Sequence, residues 1–76
     1  MAKAYLKIKV EMGRERAVRD ALLRFTEVKS AELTTGDQDI LALVEADSYE
    51  DILLAVVDRL RALKGIKSTV TDLVLE

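Results

Sequence analysis

Seventy-six residues with 12 basic and 14 acidic side chains make one small domain of net charge −2, the wrong sign for a protein that holds nucleic acid mainly by neutralising phosphates. Cysteine and histidine are absent, which excludes disulfides, iron–sulfur and cysteine-rich zinc sites, thiol nucleophiles and imidazole acid–base catalysis. Three aromatic residues, Tyr5, Phe25 and Tyr49, are too few for a base-stacking platform.

Residues 4–10 alternate, with Leu6, Ile8 and Val10 on one face and Tyr5, Lys7 and Lys9 on the other, so a first strand is predicted there. Met12-Gly13 breaks the alternation. From Arg14 to Phe25 the apolar residues Ala17, Val18, Ala21, Leu22 and Phe25 recur at helical spacing, predicting the first helix. Val28 to Thr35 reads as a second strand, and Gly36-Asp37-Gln38-Asp39 as a polar loop whose glycine is expected at positive φ. A third strand covers Ile40 to Ala46. Ser48 with Asp51 resembles a capping box, opening a second helix through Ile52, Val56, Leu60 and Leu63, and Gly65 is its expected stop. Ile66 to Leu75 completes the chain as strand four.

The sequence also matches itself at an offset of 38 residues: Ala4 with Ala42, Ala17 with Ala55, Val18 with Val56, Asp20 with Asp58 and Leu22 with Leu60. Leu6 with Val44, Phe25 with Leu63 and Val28 with Ile66 are conservative pairs in the same frame. Two copies of one supersecondary unit are implied. The order βαββαβ predicts an α+β, ferredoxin-like fold: a four-stranded antiparallel sheet with both helices on one face. A single domain over residues 1–76, without a helix-turn-helix domain, is expected.

The helix-free face predicts a partner. Strand three is apolar on both sides, so Leu41 and Leu43 point away from the helices, and Leu73 and Leu75 are expected to join them together with Thr69 and Thr71. Lys7 and Lys9 share that face and are expected to reach solvent at its rim. A chain this short buries only roughly 60–65% of its unfolded surface, and with no covalent staple available a second copy packed sheet to sheet is the expected cover. No apolar run approaches the ~20 residues of a membrane span, and no signal-type stretch opens the chain, so a cytoplasmic protein without membrane contact is expected.

Convergent polar chemistry is confined to two segments. In Thr34-Thr35-Gly36-Asp37-Gln38-Asp39, backbone N–H groups can face an anion while an aspartate accepts from a cation, which suits a zwitterion; an ordinary hairpin connection uses the same residues. Ser68-Thr69-Val70-Thr71 offers hydroxyls, or simply β-propensity. Glu50-Asp51 and the Asp37/Asp39 pair lack a nucleophile or metal-loop spacing and read as solvated surface. No catalytic residue, metal site or cofactor is expected.

Taken together, the Thr35-Gly36-Asp37-Gln38-Asp39 loop running into an apolar strand, and Gly65-Ile66-Lys67-Ser68-Thr69-Val70-Thr71 running into Leu73-Val74-Leu75, resemble the effector-binding (RAM) domain of the Lrp/AsnC feast/famine regulators. Members commonly carry an aromatic where Gln38 stands. The resemblance implies a sheet-to-sheet dimer (an α+β barrel) that assembles into a ring and binds amino acids or similar small effectors between dimers. It assigns the effector's ammonium to Asp39, its carboxylate to the backbone around Gly36, Asp37 and Gln38, and further polar contacts to Thr69 and Thr71. Without a DNA-binding module the chain is similar to the stand-alone form of this domain, with full-length Lrp/AsnC regulators as possible partners and no direct contact with nucleic acid. The alternatives are a dimeric α+β-barrel enzyme acting on a small molecule and a purely structural adaptor.

Overall fold

The computed structural model describes residues 1–36 and 39–75, with the side chains of Ala55 and Val57 left aside. Strand β1 (Ala2–Val10) is followed by α1 (Glu15–Leu22), β2 (Val28–Leu33), β3 (Ile40–Ala46), α2 (residues 49–61) and β4 (Ile66–Val74). The strands form one antiparallel sheet in the order β2-β3-β1-β4. This is the βαββαβ order read from the sequence.

Alternation in β1 sorts its side chains as expected. Ala2, Ala4, Leu6, Ile8 and Val10 are buried beneath the helices, and the residues between them are exposed. Ile40, Ala42 and Val44 of β3 lie beside them, and Val18 and Leu22 of α1 with Ile52, Val56 and Leu60 of α2 close the core from above. The internal repeat has its physical basis here: Ala4 and Ala42, Leu6 and Val44, Val18 and Val56, and Leu22 and Leu60 are all buried, with Phe25, Leu63 and Ile66 packed against them. Selection for one core position in each half leaves the same residue type at the same spacing.

Helix ends differ from the periodicity by a turn. After Leu22 the chain tightens, Arg24 N–H donating to Ala21 O and Phe25 N–H to Leu22 O, so Phe25 packs on the core from a turn rather than from the helix. Ser48 does cap α2: its hydroxyl accepts the Asp51 N–H at 3.1 Å. The middle of α2, Ile52–Val57, is wound as a π-helix between α-helical ends. No helix among the described residues is long and apolar enough to cross a membrane.

Two expectations fail. Gly36 does not adopt positive φ; that conformation belongs to Gly13 (φ 87°) and Gly65 (φ 101°). Gly65 is the helix stop the sequence suggested, and it takes the positive φ that was expected of Gly36. The second failure is the phase of β4. Thr69, Thr71 and Leu73 pair with Ile8, Leu6 and Ala4, so all three lie on the helix-covered face, and Leu73 packs against the core. Val70, Asp72 and Val74 point outward instead, opposite Lys7, Tyr5 and Lys3. Leu75 follows the end of the strand and is 77% exposed.

Candidate functional site

Two cross-strand rows make the middle of the helix-free face. Leu41 and Leu43 of β3 stand beside Lys7 and Tyr5 of β1, which stand beside Val70 and Asp72 of β4. Glu32 and Ser30 extend the rows onto β2. Lys7 does not reach for a rim: its ammonium meets the Asp72 carboxylate diagonally at 3.1 Å, both side chains about half exposed. Pairing on the face neutralises a charge that would otherwise oppose covering it. Leu41 and Leu43 do point away from the helices, partly buried by their neighbours.

The β2–β3 loop sits at the end of the sheet where β1 finishes. Its neck is closed by Thr34 N–H donating to Asp39 O at 2.9 Å. Asp39 holds β1 twice, its own N–H donating to Ile8 O at 3.0 Å and its Oδ2 accepting the Val10 N–H at 2.8 Å. The last β1–β3 pair is Ile8 with Ile40, so Val10 has run past the partner strand. The carboxylate replaces the missing strand carbonyl, satisfying a donor on a residue that is only 4% exposed. Sequence reading assigned Asp39 to a ligand and missed this structural duty.

Thr35 and Gly36 lie exposed in the same loop, and nothing stands within 4 Å of where a Gly36 side chain would begin. The roles expected of Asp37 and Gln38 fall outside the described residues. Thr69 reaches this end of the sheet, two strands from Ile40 across Ile8; Thr71 lies one pair further in, opposite Leu6, beneath the helices. The structure therefore gathers Thr35, Gly36, Asp39 and Thr69 at one end and leaves Thr71 about 6–7 Å further along its strand.

Beside Thr69 the fold forms an open hollow of about 370 Å³, lined by Arg61, Ile66, Lys67, Ser68 and Thr69. Arg61 is the last residue of α2 and Lys67 the second of β4, and the Gly65 turn brings them together. Sequence reading singled out neither cation. The available signal was a cationic helix end returning through glycine into a hydroxyl-rich strand.

Elsewhere the polar surface is structural. Arg59 bridges Glu27 at 2.9 Å and stacks over Phe25, 5.2 Å from its centroid. A hydrogen bond from its own backbone N–H, then one from Arg59, lowers the Glu27 pKa below its ordinary 4.5. Among the described residues no cluster of three or more acidic side chains is arranged to hold a metal.

Comparison with known proteins places this geometry. The sequence profile described as the Lrp/AsnC ligand binding domain matches residues 3–76. An uncharacterised HTH-type transcriptional regulator of Pyrococcus horikoshii is 35% identical over 57 residues, covering 75% of this chain and 38% of the regulator. A homocitrate synthase of Sulfolobus acidocaldarius is 51% identical over 43 residues, 55% of this chain and 9% of the enzyme. The chain thus spans well under half of either relative. The crystal structure of a hypothetical protein from Pyrococcus horikoshii superposes with a TM-score of 0.91 at 29% identity, covering 100% of this chain and 92% of that one.

Proposed function

The chain belongs to the Lrp/AsnC ligand-binding domain family, and we propose that it serves there as an effector-sensing assembly module. In this reading an amino acid, or a similar small effector, binds at the β2–β3 loop between copies of the chain. Copies pair through the helix-free sheet face, the pairs close into a ring, and the assembly modulates transcription by joining full-length regulators of the family.

The observation that carries the proposal is Asp39. Its carboxylate is fixed at 2.8 Å on the Val10 N–H, and its backbone is tied to Ile8 and Thr34, so an acid stands preorganised beside an open loop. An ammonium arriving there meets a carboxylate whose orientation needs no further ordering. The backbone from Gly36 to Gln38 receives the effector's carboxylate, and Thr69 adds a hydroxyl; Thr71 is placed too far under the helices to serve equally. Support for pairing comes from Leu41, Leu43, Tyr5 and Val70 on a face without helices, and from Lys7 already neutralised by Asp72.

Likeness to a transcriptional regulator, to a stretch of a synthase and to a protein of nearly its own length supports a portable sensing unit rather than a catalyst. A thermal-shift screen against the standard amino acids, with light scattering on the same samples, tests the reading. One or a few amino acids are expected to stabilise the protein, by about 2.7 kcal/mol at a hundredfold excess over Kd, in an assembly larger than a monomer. Assembly without ligand stabilisation identifies a structural adaptor. A compact 8.5 kDa monomer at micromolar concentration, indifferent to every amino acid, overturns the proposal.

A further inference from the structure

A strand at the edge of a sheet leaves every second residue's N–H and C=O without a ladder partner, and proteins blunt such edges with short strands, charges or bulges. The two edges of this sheet differ in that respect. β2 has six residues, with Lys29 and Glu32 among them, and a register shift after Val28. β4 has nine, and beyond the shift at Lys67 it pairs with β1 without a break from Ser68 to Val74. The one charged residue of that stretch, Asp72, lies on the helix-free face and is paired with Lys7. We propose that the β4 edge is an interface between two copies of the chain, which join β4 to β4, antiparallel, about a two-fold axis at Val70 and so continue one sheet into the other. This interface is separate from the helix-free face and independent of the effector reading.

The helix-covered side of β4 is only half closed. Ile8, Leu6 and Ala4 of β1 are fully buried, whereas Thr69, Thr71 and Leu73 opposite them are partly exposed. α2 runs along this gap, antiparallel to β4. At one end the Tyr49 hydroxyl donates to Val74 O, and at the other Arg61 shares a hollow with Ile66, Lys67 and Thr69. Leu53, one helical turn on from Tyr49, shares its flank and is 42% exposed, while Arg59 takes the opposite flank, where it meets Glu27 and Phe25. Open backbone groups along an edge, with an apolar flank above them, are what strand addition uses.

Register and charge identify the added strand as a second β4. Val70, the middle residue of the strand, is 46% exposed. With the axis there, Val70 meets its own copy, Thr69 meets Thr71 and Ser68 meets Asp72, so both members of each pair lie on one face of the joined sheet. The same axis sets the two α2 helices antiparallel. Glu50 lies in the first turn of α2 with Asp47 just before it; Arg61 lies in the last turn, followed by Lys64 and Lys67. All five are exposed, and no ion pair among the described residues uses them. Asp58 and Glu11 oppose the cations, and Arg14 and Glu15 behind them add one charge of each sign. Lys3 opposes the acids but lies across from Glu45. Asp39 is held on the far side of β1, toward β3. The surplus along this side is therefore positive at one end and negative at the other, and the two-fold axis sets each against its complement, with the helix dipoles antiparallel.

Sedimentation and hydrogen exchange on the parent protein and on Leu43→Asp, which disables the helix-free face, test the proposal; circular dichroism checks that each variant folds. The Leu43→Asp protein is expected to form a dimer. Raising its concentration is expected to slow exchange in residues 66–74 at least about tenfold while residues 28–33, at the other edge, stay unchanged. In that background Leu53→Asp, which sets like charges from both copies near the axis, and Arg61→Glu are each expected to weaken the dimer at least about tenfold. Adding Glu50→Arg to Arg61→Glu is expected to recover part of the loss. A dimer unmoved by both single substitutions overturns the inference, as does a Leu43→Asp protein that stays monomeric at about 100 μM. Exchange in residues 66–74 that is the same at every concentration also overturns it, and is the result expected of an edge kept for a segment of another protein. The effector reading stands or falls separately, on the amino-acid screen.

Discussion

Asp39→Ala and Asp39→Asn separate two duties carried by one side chain. Alanine removes the acceptor that Val10 N–H meets at 2.8 Å, leaving a donor on a residue 4% exposed where β3 no longer runs alongside. A hydrogen bond to a charged acceptor contributes about 1.5–3 kcal/mol, so a loss near 2 kcal/mol is expected. In a domain of this size each kcal/mol moves Tm by about 4–8 °C, which makes the expected fall about 8–16 °C. Asparagine keeps an oxygen of the same reach and is expected to lose less than about 1 kcal/mol. It does remove the charge offered to an ammonium, so effector affinity is expected to fall about ten- to a hundredfold. Thermal melts at one fixed protein concentration, because assembly makes Tm concentration-dependent, and calorimetry with the effector found by screening read the two quantities apart. An alanine variant melting within 2 °C of the parent, roughly the error of such a scan, refutes the structural duty. Unchanged effector affinity in the asparagine variant refutes the ligand duty.

The two glycines give opposite expectations. Gly65→Ala forces a side chain into φ 101° with contacts of 3.1–3.3 Å to Arg14 and Val18, and is expected to cost about 1–3 kcal/mol in denaturant unfolding. Gly36→Ala meets open space without a positive φ and is expected to stay within about 0.5 kcal/mol of the parent. Leu43→Asp places a charge on the helix-free face beside Tyr5; light scattering is expected to show smaller assemblies while circular dichroism keeps the parent's fold. Because the Glu27 pKa is lowered by folding, its contribution is complete above the ordinary value of 4.5 and is lost as pH falls through the lowered one. Glu27→Gln should therefore show a shallower loss of stability on acidification below that value than the parent, followed by urea unfolding across the pH range.

Much of the fold was legible because the local signals agree with one another. A strand with one face covered must alternate, and β1 does so over its whole length, which decided in advance that Leu6, Ile8 and Val10 are core and Lys7 is not. The Ser48 cap, the Gly65 stop and the repeated core positions are likewise short-range or periodic facts, written in residues near one another or at a fixed spacing. The family resemblance rests on the same kind of linear pattern. What remained was decided by groups far apart in the chain. In β4, Thr69, Val70, Thr71, Leu73 and Val74 suit either side of a sheet, and only the pairing of Ala4 with Leu73 and Tyr5 with Asp72 chose between them. That same register set Asp72 against Lys7 and made a charged position on the bare face tolerable. Asp39 looked like a loop acid awaiting a ligand until β1 was seen to outrun β3, leaving Val10 N–H to be satisfied from 29 residues away. Arg61 and Lys67 gained meaning only when a turn at Gly65 folded a helix end against an edge strand. Periodicity reports which face a residue takes within its own element; which atoms finally meet depends on register and docking between elements, and those are set by the packing of the whole core.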